Sequence, residues 1–199
     1  DFDPGHDYSV PYLWGTTGIG YDVNKVKAAL GDQAPVDSWD LIFKEENISK
    51  LKSCGVAMLD SPSEIISIAL NYLGLPSNSS NPADYQKAQD LLMKIRPYVL
   101  YFDSSRIDTD MADGNICAVV GWANGALAAQ ALNEKNNTGR RINYSLPREG
   151  ALVWSENLVL LKDAPHPKAG MAFINYMMRP EVIAKTSNHT LYPLSLIHI

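Results

Sequence analysis

Short apolar runs alternate along this chain with longer stretches whose apolar residues recur at helical spacing. Strands that alternate with helices are typical of an α/β fold, in which helices cover a sheet. The predicted strands are 10–14, 52–59, 116–122, 142–146 and 151–161, and the predicted helices are 23–30, 38–42, 61–73, 85–96, 104–112, 126–134, 168–178 and 181–187. We therefore expect an α/β protein.

Three glycines, Gly15, Gly18 and Gly20, follow the first predicted strand. Glycine tolerates the backbone angles of tight turns, so the segment 15–20 is predicted to be a turn. It lacks the lysine of a phosphate-binding loop, and the sequence contains neither a G-x-S-x-G elbow nor an H-E-x-x-H pair. The residue pattern therefore does not favour an enzyme.

The net charge, the hydropathy and the histidine spacing argue against three features: a nucleic-acid partner, a membrane span and a metal site. The 199 residues carry a formal net charge of −5, whereas a nucleic-acid binder needs a concentrated basic face. No apolar stretch approaches the length of a membrane span. The histidines His6, His166, His189 and His198 show no metal-ligand spacing. We expect no nucleic-acid partner, no metal site and no cofactor.

Trp154 and Glu156 lie two positions apart at the start of an apolar run. If this run is a strand, both side chains point to the same face, because strand side chains alternate with a period of two. An indole and a carboxylate that face one space suit an organic ammonium ion, through cation–π and Coulombic attraction. The alternative is a core tryptophan beside a solvated glutamate.

The other candidate residues also have a structural interpretation beside the functional one. Glu64 lies at a strand-to-helix junction, where ligand sites of α/β sheets tend to lie, yet with Ser61 it also fits a capping box. Trp122 ends a predicted strand and either lines a crevice or plugs a lobe, and Tyr192 is either a wall of a site or a loop aromatic. Cys54 and Cys117 are either two buried thiols or one disulfide.

Seven segments, spread from about residue 4 to residue 192, carry a resemblance to a known family. They are PYLWGTTGIGY at 11–21, PVDSWDLI at 35–42, LKSCGV at 51–56, NYLG at 71–74, GWA at 121–123, PREGA at 147–151 and NYMMRP at 175–180. Together they resemble the periplasmic polyamine-binding proteins of bacterial ABC transporters, especially those of the putrescine type.

The resemblance implies a two-lobed periplasmic binding protein type II fold, incomplete in this chain. It implies that residues 1–14 end the first lobe and begin the crossover, 15–150 form the second α/β lobe, 151–192 return to the first lobe, and 193–199 are a tail of non-native or truncated origin. The chain is thus expected to be a fragment that lacks much of the first lobe and the carboxyl-terminal end.

The same resemblance implies roles for particular residues. The amine-binding acid of the family falls on Glu64, the cleft tryptophan on Trp122, the aromatic-x-acid pair on Trp154 and Glu156, and the last tyrosine on Tyr192. It pairs Cys54 with Cys117 in a disulfide, and it implies a periplasmic location, an ABC permease as partner and a monomer.

Two positions depart from the putrescine-type pattern. An acid is expected three residues after the cleft tryptophan, where this chain has Gly125, so one ammonium anchor is missing. The second acid is usually aspartate, and Glu156 reaches one methylene further. We expect a receptor, not an enzyme, that binds a cationic polyamine such as putrescine and delivers it to a permease. The alternatives are a mono-amine or amino-acid receptor, an enzyme on a similar scaffold, and a fragment that binds nothing on its own.

Overall fold

The structure is a computed structural model that describes residue 3, residue 5 and residues 7–193. The predicted tail therefore lies, apart from Pro193, outside the described residues, as do His6 and His198. The described strands are Val10–Asp22 (β1), Val56–Met58 (β2), Tyr101–Phe102 (β3), Ala118–Trp122 (β4), Ile142–Ser145 (β5) and Leu152–Leu158 (β6). The described α-helices are Val23–Leu30 (α1), Asp40–Phe43 (α2), Glu45–Leu51 (α3), Pro62–Tyr72 (α4), Pro82–Ile95 (α5), Ile107–Asp113 (α6), Ala123–Lys135 (α7), Pro167–Met177 (α8) and Pro180–Thr190 (α9).

The strands form one mixed sheet in the order β3-β2-β4-β1-β5, and β6 pairs with β1. β2 runs parallel to both β3 and β4, whereas β1 runs antiparallel to β4 and β5. Parallel neighbours need a crossover, and helices α4 to α6 supply the connections between β2, β3 and β4. The predicted α/β class is confirmed.

The chain divides into two compact units. Unit 2 is Thr16–Leu152, and unit 1 consists of Asp1–Gly15 together with Val153–Ile199. The core of unit 2 contains fully buried Trp39, Ile48 and Val119, which pack with the strands against the covering helices. In unit 1, α8 and α9 contact each other, and they bury Ile174 and Ile183.

The glycine-rich segment is strand, so the turn predicted at 15–20 is wrong. β1 continues through it without a break, because the glycines admit close neighbours rather than a reversal. A Cβ on Gly18 would lie 2.5 Å from the carbonyl oxygen of Ser145. A Cβ on Gly20 would lie 2.9 Å from Val119 Cγ1 and 3.2 Å from Ala126 Cβ. A larger residue at either position would push apart the paired strands or helix α7.

Capping residues set both ends of helix α1 where the sequence predicted them. Helix α1 covers the predicted range, with the Asp22 side chain capping its first turn through Lys25 N and Gly31 ending it at a φ of +82°.

Cys54 and Cys117 form a disulfide with Cα atoms 5.4 Å apart, which confirms the pairing that the resemblance implied. Across the described residues, every helix is too short or too polar to cross a bilayer.

Candidate functional site

The carboxylate of Glu64 is held by two side chains from the sheet. The Thr17 hydroxyl donates to Glu64 Oε2. The indole N–H of Trp122 donates to both carboxylate oxygens, with Nε1 lying 3.3 Å from Oε1 and 3.2 Å from Oε2. The structure thus brings together two of the predicted site residues, Glu64 and Trp122, in unit 2.

Three elements create this arrangement. Thr17 on β1 pairs directly with Trp122 on β4 in the antiparallel register, so both side chains project to the same face of the sheet. Helix α4 starts shortly after β2, which lies beside β4, and Glu64 is in its first turn. The helix therefore carries the carboxylate over the strand ends that hold its two donors.

The capping-box interpretation of Glu64 is wrong. Ser61 is the N-cap residue of α4, but its side chain makes no capping hydrogen bond, and its hydroxyl pairs instead with the Ser63 hydroxyl at 3.5 Å. The Glu64 N–H donates to the backbone oxygen of Ser61. Because the donors on β1 and β4 capture the Glu64 carboxylate, it is not available to close a box at the helix end.

The charge of Glu64 has no cationic counterpart in the part of the chain that the structure describes, since no Lys, Arg or His there lies within 4.0 Å of its oxygens. Thr17 and Trp122 are neutral donors, so they orient the carboxylate without neutralising it. The position in the first turn of α4 favours an anion through the helix dipole. A partly buried carboxylate of this kind is ready to accept a cation.

Tyr144 is a further residue near this carboxylate that the sequence did not single out. Burial and, to a smaller extent, the negative charge of Glu64 raise the pKa of Tyr144 to about 12, although the hydrogen bond with Thr16 acts in the opposite direction. Its hydroxyl lies 2.9 Å from Thr16 Oγ1. The phenol is therefore neutral at physiological pH. Thr17 was also missed, because the segment 15–20 was predicted to be a turn and not a strand.

In unit 1, the structure brings Trp154 and Tyr192 together. Their rings meet edge to face, with centroids 5.2 Å apart and planes at 81°. Gly15 allows the Trp154 ring to approach β1, because a Cβ at Gly15 would lie 2.3 Å from Trp154 Cζ2. Tyr192 follows α9, and its backbone oxygen accepts a hydrogen bond from the Ser187 hydroxyl. Both aromatic side chains are half-buried.

Glu156 is exposed on β6, two positions from Trp154 and hence on the same face of that strand. The five predicted residues therefore fall into two groups, Glu64 with Trp122 in unit 2, and Trp154, Glu156 and Tyr192 in unit 1.

Gly125, where an acid was expected, lies in the first turn of α7. A Cβ there would meet no atom closer than Ile107 Cγ2 at 4.0 Å, so a larger side chain has room at its base. No group of three potential metal ligands occurs among the residues that the structure describes.

Comparisons with known proteins identify the family of this chain. A profile described as bacterial extracellular solute-binding protein matches residues 2–195. The "Putrescine/agmatine-binding protein" of Pseudomonas aeruginosa is 68% identical over 191 residues, which cover 96% of this chain and 52% of the relative. The putrescine-binding periplasmic proteins SpuD of Pseudomonas aeruginosa and PotF of Escherichia coli are each 46% identical, with the same coverage. The chain spans about half the length of the curated relatives it matches.

Solved structures give the same picture of the fold. A putative spermidine/putrescine ABC transporter protein from Listeria monocytogenes superposes with a TM-score of 0.80 and 30% identity, over 98% of this chain and 55% of that one. The substrate-binding protein PotD from Streptococcus pneumoniae superposes with a TM-score of 0.72 and 28% identity, over 97% of this chain and 55% of that one.

Proposed function

Because the chain belongs to the bacterial extracellular solute-binding protein family, we propose that it acts as a periplasmic receptor that captures a cationic polyamine such as putrescine. The family binds solutes and is not a family of enzymes. Support for the amine comes from relatives that are named for putrescine binding and, in two cases, for the periplasm. We further propose that the receptor is a monomer and delivers its ligand to the permease of an ABC transporter.

The Glu64 carboxylate is the observation that carries the proposal. It is oriented by the neutral donors Thr17 and Trp122, and no cation of the described chain neutralises it. A folded protein gains little from a partly buried charge of this kind unless a guest completes the pair. An ammonium group supplies the missing charge and donates hydrogen bonds at the same time.

The remaining predicted residues complete the proposed contacts. In unit 2, the ring of Trp122 stacks on the methylene chain of the amine at Glu64. In unit 1, Trp154 and Glu156, which share one face of β6, attract an ammonium group through cation–π and Coulombic interactions, and Tyr192 supports the Trp154 ring from its edge. We propose that residues 15–150 form one lobe and that 151–192, with 1–14, belong to the other.

Isothermal titration calorimetry with putrescine, agmatine, spermidine and γ-aminobutyrate tests the proposal. We expect binding heat with putrescine that is lost in the Glu64→Ala variant. Absence of heat with every one of the four compounds would remove the polyamine assignment. Binding of γ-aminobutyrate alone would favour an amino-acid receptor, for which the open space at Gly125 is the supporting observation.

A further inference from the structure

Thr17 is a buried hydroxyl with a defined partner in the candidate site, and neither the resemblance nor the relatives assign it a role. We propose that Thr17 is a positioning residue: its hydroxyl holds the Glu64 carboxylate in the orientation that accepts an ammonium ion. This inference rests on the proposed function, in which Glu64 is the ammonium anchor.

The geometry places Thr17 directly under the carboxylate. Its side chain is fully buried on β1, opposite Trp122 on β4. Its hydroxyl donates to Oε2, while the Trp122 indole bridges Oε1 and Oε2. The carboxylate thus accepts hydrogen bonds from residues on two neighbouring strands, and these bonds restrict rotation about the last side-chain bond of Glu64.

A purely structural role explains this arrangement less well. The local sequence offers Glu64 a capping box with Ser61, and the structure does not use it. A buried strand position is well suited to valine, which has the same shape as threonine and no hydroxyl to satisfy. The threonine hydroxyl therefore makes its contribution through Glu64, the acceptor to which it donates.

The orientation has a consequence for binding. A carboxylate offers about four lone-pair sites, and the donations from Thr17 and Trp122 occupy about three of them. The remaining acceptor capacity is fixed in direction before the ligand arrives. Preorganisation of this kind improves affinity because the side chain loses little freedom on binding.

The test compares three substitutions on the same strand. Thr17→Val keeps the shape and removes the hydroxyl, and Thr17→Ser keeps the hydroxyl. Thr16→Val is the matched control, because it removes an adjacent threonine hydroxyl whose partner is Tyr144 rather than Glu64. We expect Thr17→Val to weaken putrescine binding about tenfold, since hydrogen bonds to charged groups are the stronger ones. Thr17→Ser keeps the hydroxyl that donates to Glu64, and Thr16→Val removes a hydroxyl that bonds Tyr144 instead, so both should bind putrescine within about threefold of the native affinity.

A second measurement, by NMR spectroscopy, detects the orientation of the Glu64 carboxylate in the protein without ligand. The indole N–H proton of Trp122, identified as the resonance lost in Trp122→Phe, should move upfield in Thr17→Val and not in Thr17→Ser, because a freed carboxylate bonds the indole less well. An unchanged resonance in Thr17→Val, or equal loss of affinity in Thr16→Val, overturns the role of Thr17. If the native protein binds no amine, the proposed function fails, and the indole resonance still decides whether Thr17 positions Glu64.

Discussion

Replacing Glu64 by glutamine tests the electrostatic part of the proposal with little change in shape. Glutamine keeps a carbonyl oxygen that can accept from either Thr17 or Trp122, so the fold should be retained. Its amide group faces the other donor, which we expect to cost about 1 kcal/mol of unfolding free energy. The negative charge, however, is removed completely.

The expected loss of affinity follows from the environment of the carboxylate. Two unit charges about 3 Å apart attract by about 5 kcal/mol at an effective dielectric constant near 20. The desolvation of both charged groups offsets part of this attraction. Removing one partner of a buried, hydrogen-bonded charge pair costs about 2–5 kcal/mol. We therefore expect Glu64→Gln to raise the Kd for putrescine by about 30- to 150-fold, which corresponds to about 2–3 kcal/mol.

Glu149 provides a matched control for this measurement. Its carboxylate also accepts from a hydroxyl and an N–H, those of Ser38 and of the Trp39 backbone, with Trp39 N at 3.2 Å. Unlike Glu64, it has a guanidinium nearby, with Arg148 Nε at 4.0 Å. Calorimetry should show that Glu149→Gln binds putrescine as the native protein does. The reasoning is refuted if Glu64→Gln binds with native affinity, or if Glu149→Gln loses as much.

Three further predictions address specificity, stability and acid sensitivity. Gly125→Asp should tighten putrescine binding about tenfold and leave butylamine unchanged, because it adds an anchor for a second ammonium group in open space; calorimetry that finds no gain for the diamine would favour a mono-amine receptor. Replacing both Cys54 and Cys117 by alanine should lower the unfolding free energy by about 4 kcal/mol, since the disulfide closes a loop with a sequence separation of 63; urea unfolding with an unchanged midpoint would contradict this. Burial raises the pKa of Asp110, but hydrogen bonds from Arg106, Tyr101 and Asn115 lower it by more, so the pKa lies below the usual 3.8. Because the pKa of Asp110 is depressed, its carboxylate stabilises the fold above about pH 4, and this stabilisation is lost as the pH falls through the folded-state pKa. The melting temperature of Asp110→Asn should therefore depend less on pH in this acid range than that of the native protein. Parallel pH dependences for the two proteins would argue against this prediction.

Local patterns determined what could be predicted from the sequence. Helix α1 was predicted with its full range, because its apolar spacing and Gly31 lie within one segment. Helix α3 and strand β3 were missed as separate elements, since a seven-residue helix and a two-residue strand leave little periodicity to detect.

The errors at Gly15 to Gly20 and at Glu64 share one physical cause. In both places the local rule was sound, but partners distant in sequence decided the outcome. Gly18 admits the backbone of Ser145, and Glu64 bonds Thr17 and Trp122, which are 47 and 58 positions away along the chain. Hydrogen bonds from Thr17 and Trp122 replaced the predicted capping box, and close packing between strands replaced the predicted turn. The candidate role of Glu64 came from the resemblance, and its donors became visible only in the fold.

The central claim is that the carboxylate held by Thr17 and Trp122 receives the ammonium group of the ligand. A crystal structure of the protein with putrescine tests it most directly. We predict one ammonium nitrogen at about 3 Å from a Glu64 oxygen, with both existing hydrogen bonds retained. Putrescine bound with its ammonium groups on other residues, and Glu64 contacting only Thr17 and Trp122, would contradict the account.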